Sequence, residues 1–109
     1  MKVTVTIEPD SYSGAAARAE AKLYAEFLEE VGNLYLHKNE AYGSAWKAQG
    51  WMGNLARIFS KAARLKVMCW NAEPVDQRGD ESVNDTLLDL ANLSLFALMN
   101  RRGGNRWGY

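Results

Sequence analysis

Ser82-Val83-Asn84-Asp85-Thr86-Leu87-Leu88-Asp89-Leu90-Ala91-Asn92-Leu93-Ser94-Leu95-Phe96-Ala97-Leu98-Met99 is the stretch that decides the fold. Ser82 and Asp85 stand in a capping-box arrangement at its start, no glycine or proline interrupts it, and Gly103-Gly104 stop it, which predicts a helix over about 82–102. From Leu87 onward the apolar side chains fall on nearly every face. A helix with no wet side is either central or shared with another subunit, so the expected fold is mainly α, a bundle of three main helices completed by homo-oligomerisation. The residues beyond it, 103–109, read as a flexible tail.

Working back from that helix, the turn-rich residues 71–80, with Pro74 and Gly79, form a connection. A second helix is predicted over 54–70, with Leu55, Ile58, Phe59, Ala62, Leu65 and Cys69 on its apolar side and Arg57, Lys61 and Arg64 on another. The aromatic and glycine cluster over 39–53 reads as a packed loop. Over 14–38 an Ala- and Glu-rich run carries Leu23, Phe27, Val31 and Leu34 at helical spacing, a first helix weakened at Gly32. In the N-terminal residues 1–10, Val3, Val5 and Ile7 alternate with Lys2, Thr4 and Thr6 up to Pro9, the period of a short β-strand. One strand cannot satisfy its own ladder, so a partner is expected, such as the same strand of a second subunit.

The chain has 109 residues, 48% hydrophobic and 24% charged, which suits a single domain over 1–109 with one modest core. Thirteen basic and thirteen acidic residues cancel, so no overall positive field favours general nucleic-acid binding or an anionic membrane. The lone Cys69 has no internal disulfide partner, no apolar run is long enough to cross a membrane, and the N-terminus lacks a leader pattern; a cytoplasmic protein is expected. The charges are nevertheless segregated. Residues 41–70 carry five basic groups and no acidic one, whereas 71–100 carry six acidic groups against Arg78 alone. Such blocks either neutralise each other between packed helices or meet around a small polyanion with bound metal.

Glu26, Glu30, Asn33 and His37 follow i, i+4, i+7, i+11 spacing on the first helix, with Glu29 at the margin, and Glu81, Asp85, Asp89 and Asn92 repeat the arrangement on the third. If the stripes face each other, their oxygens suit Mg²⁺. The plain alternatives are a solvated face for Glu26 and Glu30, helix-dipole stabilisation for Asp85, and for Asp89 an ion pair with Arg64 or Lys61. Asp89 stands among apolar residues and requires a cation or a hydrogen-bond network either way. His37 reads as a surface or interface residue and Cys69 as a core residue. Trp46, Trp51 and Trp70 can stack on a base, although packing is the commoner use of such rings.

Three stretches carry a family resemblance. Leu28-Glu29-Glu30-Val31 through Leu34-Tyr35, Lys38-Asn39 and Tyr42-Gly43 resembles L-E-E-M-x-E-L-Y-x-x-K-N-x-D-Y-G; Arg57-Ile58, Lys61 and Arg64-Leu65 resemble R-I-x-D-K-x-x-R-L. Asp80 through Asn92 is close to D-E-S-I-x-D-T-L-L-D-L-A-N, the most specific of the three. In this order, over 28–99, they resemble the phage nucleotide modification associated domain family, which looks like a distant relative of the MazG-type all-α nucleoside triphosphate pyrophosphohydrolases. The resemblance implies Mg²⁺ on Glu29, Glu30, Asp85 and Asp89, catalytic roles for Glu30 and Asp89, and nucleotide contacts from Arg57, Lys61, Arg64 and Asn92. Asn33 stands in place of a third Glu, Ala41 where the pattern has Asp, and Ser60 in place of the Asp before Lys61.

The expectation is therefore a phage-type, oligomeric protein of the host cytoplasm that binds a nucleoside triphosphate or modified nucleotide, or hydrolyses it with Mg²⁺ to monophosphate and pyrophosphate. The competing expectation is a catalytically degenerate interaction protein that binds a host or phage protein through aromatic surface at Trp46, Trp51 and Trp107 to Tyr109.

Overall fold

The computed structural model describes residues 1–8, 14–71 and 83–103. The connection over 72–80, the capping role of Ser82, Glu81 and the tail over 104–109 lie outside the described residues. Three long helices dominate: α1 (Ala15–Tyr42), α2 (Ala45–Lys66) and α3 (Val83–Gly103), with a π-turn at Val67–Asn71 extending α2. The mainly α architecture is as the sequence implied. The chain divides into two compact units, Met1–Gly43 and Ser44–Tyr109.

In the first unit, alanine, leucine and glutamate, all strong helix formers, sustain 28 residues of α1. The helix outruns its expected end at 38 because nothing in Asn39-Glu40-Ala41-Tyr42 breaks it. Gly43 does: at φ 71° it takes a conformation that L side chains avoid, and its N–H donates to the Asn39 carbonyl at 2.8 Å. The N-terminal β-strand does not form; among the described residues no strand ladder exists. Residues 1–8 instead run antiparallel along α1. The Val3 N–H donates to Asn33 Oδ1 at 2.7 Å, Asn33 Nδ2 donates back to the Val3 carbonyl at 3.3 Å, and the Val5 N–H donates to Glu29 Oε1 at 2.8 Å. The two repeats nearly match: two residues of extended chain advance roughly 6.6 Å and four residues of helix 6 Å, so side chains at i and i+4 meet alternate backbone groups. Gly32 makes room for this approach, since a Cβ there would lie 2.8–2.9 Å from Val3 side-chain atoms.

In the second unit α2 and α3 pack antiparallel. Trp46 at the start of α2 stacks on Phe96, ring centroids 5.4 Å apart and 10° between planes, while Lys61 further along reaches Asp89. Trp46, Met68, Leu93 and Ala97 form the buried apolar centre with Thr86, Asn92 and Asn54. The packed loop expected over 39–53 is corrected to helix. Only Gly43-Ser44 separate α1 from α2, and the other glycine signal is a break inside α2, where Gly50 adopts φ 67°, ψ 179°. Such a break frees carbonyls, and Asn54 collects them, its Nδ2 donating to the Trp46 carbonyl at 3.0 Å and the Gly50 carbonyl at 2.9 Å.

The core role expected for Cys69 is also corrected: the residue is exposed. Past Lys66 the backbone widens to i→i+5 pairing, each residue turns through a smaller angle than in an α-helix, and Met68 takes the inward position instead. On α3 the apolar excess remains partly uncovered, with Leu87, Leu95 and Leu98 exposed.

Candidate functional site

Arg57, Lys61 and Arg64 repeat on α2 at i, i+4, i+7, and Asp85, Asp89 and Asn92 repeat on α3 with the same spacing. At the centre of both stripes Lys61 Nζ lies 3.3 Å from Asp89 Oδ2 in an ion pair whose side chains retain 23% and 18% of their exposure. Because the helices are antiparallel, the register set by that pair brings Arg64 level with Asp85 and Arg57 level with Asn92. Of the acids in the 71–100 block, Asp85 and Asp89 lie among the described residues, and Asp89 meets the basic block at Lys61. Arg57, Arg64 and Asp85 are exposed at the surface of this α2–α3 seam, while Asn92 is buried. Asp89 is the acid most withdrawn from water in this seam, and the lysine offsets the cost of desolvating it.

The seam lies beside a groove of about 550 Å³ at the end of the hairpin where α2 passes into the π-turn. Ala62, Leu65, Cys69 and Trp70 line one side and Val83 and Leu87 the other, with Lys66 the one charged lining residue among the described residues. Trp70 retains 80% exposure. The volume suits a small ligand with an apolar, planar part.

Asp85 and Asp89, one helical turn apart, give a two-carboxylate donor set. Mg²⁺ characteristically takes one or two carboxylates and completes its shell with water and phosphate oxygens, so this donor set fits the ion. Within either unit, among the described residues, no three His, Cys, Asp or Glu side chains gather into a metal cage.

The remaining expected site residues belong to the first unit. Glu29 accepts from Val5, Asn33 pairs with Val3, Glu26 lines an open cleft between the extended segment and α1, and Glu30 and His37 are exposed. The acidic stripe read from α1 is therefore divided between backbone binding and solvent. Trp46 is packing, and Trp51 is partly exposed with the Arg101 guanidinium 4.8 Å over its ring. Asn54, buried and engaged twice, drew no notice in the sequence; its signal was its place four residues after a glycine, where one helical turn brings an amide to the freed carbonyl. Asn100 likewise donates to the Trp46 carbonyl at 3.1 Å, a long-range bond with no local signature.

Residues 38–100, more than half of the chain, match the family model described as Nucleotide modification associated domain 1. The match covers the end of α1, all of α2, the π-turn and nearly all of α3. No curated protein and no solved structure matches the chain.

Proposed function

The chain belongs to the Nucleotide modification associated domain 1 family, and from that premise we propose that it binds a nucleoside triphosphate or modified nucleotide at the α2–α3 seam and hydrolyses it with Mg²⁺. The observation that carries this reading is the Lys61–Asp89 pair flanked by exposed Arg57 and Arg64. Arginines in this position form charge-assisted hydrogen bonds to phosphate oxygens. Lys61 is held by Asp89 at the seam and turns to phosphate when one arrives, leaving the carboxylate to face a cation. Asn92 donates or accepts beside it. Mg²⁺ on Asp85 and Asp89 would polarise the phosphates and orient a water. Trp70 and Leu87 in the adjoining groove offer the base an apolar surface. Glu29 and Glu30 belong to the first unit; the metal role proposed for both and the catalytic role proposed for Glu30 rest on the family resemblance, and each is tested by its own Gln variant.

The test is a titration of unmodified and modified deoxynucleoside triphosphates with Mg²⁺, reading thermal stabilisation and pyrophosphate release together. Lys61→Met and Arg64→Met should weaken nucleotide affinity, and wild-type affinity should fall as ionic strength rises. Unchanged affinity in folded variants rejects the phosphate role. Stabilisation without turnover identifies a binding domain that does not catalyse. A second reading, a domain that binds a host or phage protein, draws on the exposed Met52 beside the Trp51–Arg101 pair; it is favoured if nucleotides neither stabilise the chain nor turn over.

A further inference from the structure

Lys2-Val3-Thr4-Val5-Thr6-Ile7-Glu8 has a two-fold chemical symmetry about Val5: a threonine on each side, then a β-branched residue, then a base at one end and an acid at the other. We propose that this segment pairs antiparallel with the same segment of a second copy of the chain, the two-fold axis passing at Val5.

In an extended chain the N–H and C=O of one residue point to one side and those of its neighbours to the other. Val3 gives both groups to Asn33 and Val5 gives its N–H to Glu29, so α1 occupies the odd-numbered side. The opposite side belongs to Lys2, Thr4, Thr6 and Glu8. All four are exposed, and among the described residues nothing hydrogen-bonds to their backbone. An edge in that state is a template for another strand.

Pairing about Val5 makes every hydrogen-bonded cross-strand pair even with even, Lys2 with Glu8 and Thr4 with Thr6, the parity that α1 leaves available. The odd positions, Val3 opposite Ile7 and Val5 opposite Val5, become the close, non-hydrogen-bonded pairs that β-branched side chains favour. A register centred on Thr4 keeps the parity but separates Lys2 from Glu8. Opposite charges meet at both ends only in the register about Val5, which selects a second copy as the occupant. A bare two-stranded ribbon is marginal in water; here each strand is already backed by its own α1. No residue of this segment belongs to the α2–α3 seam.

Sedimentation of the full chain across micromolar concentrations tests it. The wild type should dimerise. Lys2→Glu and Glu8→Lys should each weaken the dimer roughly tenfold, because two like-charged pairs replace two attractive ones, and combining the two substitutions should restore it. Thr6→Pro, which removes an open-edge N–H and leaves the Val3 and Val5 bonds to α1 in place, should give a monomer with undiminished helical circular dichroism. A wild-type monomer throughout, a dimer that ignores the single charge reversals, failure of the double exchange to restore it, or a dimeric Thr6→Pro variant would each overturn the proposal.

Discussion

Asn54 is fully buried and its amide closes the break that Gly50 opens, so truncating it to alanine strands the Gly50 carbonyl while Trp46 keeps its bond from Asn100. Asn54→Ala should therefore lower unfolding free energy by about 2 kcal/mol, the cost of one unsatisfied, partly buried acceptor and a small cavity, measured by denaturant titration. Asp89 carries a different prediction. Removing one partner of a pair at this depth should cost about 1–2 kcal/mol, between the limits for exposed and buried pairs. Asp89→Asn should also abolish Mg²⁺-dependent nucleotide binding in calorimetry; binding that survives excludes the ligand role. The need of Asp89 for a cation was legible in the sequence because a carboxylate among leucines cannot stand alone, and Lys61 was one of two cations within reach. Asn54 was not legible, since an amide in a helix is ambiguous until the neighbouring backbone is known to be broken.

At the level of elements, α1 and the extended segment impose opposing demands on Gly32. Alanine there improves helix propensity by about 1 kcal/mol, yet its Cβ would lie under 3 Å from the Val3 Cβ and both Cγ atoms, which forces the segment away. Gly32→Ala should thus strengthen α1 and release residues 1–8, seen as faster amide exchange at Val3 and Val5 and faster proteolysis ahead of α1. The helical periods of α1, α2 and α3 were readable because apolar spacing persists over many turns. The destination of the N-terminal segment was not: its alternation announced an extended chain, and the same pattern serves a sheet or a helix face that presents Glu29 and Asn33 one turn apart. Cys69 was misplaced for a related reason, since extrapolating an α period through Val67–Asn71 assumes that the backbone keeps its turn angle.

For the molecule as a whole, equal totals of positive and negative charge conceal an antiparallel hairpin in which the basic α2 meets Asp85 and Asp89 in the N-terminal half of α3, whose other end carries Arg101 and Arg102; the segregation is legible in the charge blocks of the sequence. Ligand linkage gives this a measurable scale: Mg²⁺ and nucleotide at a hundredfold excess over Kd should raise the Tm by about 10 °C. The rise should shrink with added salt, because Arg57 and Arg64 are exposed and screened. One further consequence follows from the Gly50 break. An unbroken helix turns by about 100° per residue, so adding or deleting a residue swings everything on one side of the change around the axis. At Gly50 the ladder is interrupted, and Asn54 ties the two stretches together by bonds to carbonyls that are not its i−4 ladder alone. The angular phase of Trp46 relative to Lys61 is therefore set by the amides of Asn54 and Asn100 instead of by a continuous ladder, so the break works as a pinned joint: a residue inserted between Trp46 and Gly50 should disturb the Trp46–Phe96 stack before it disturbs the Lys61–Asp89 pair.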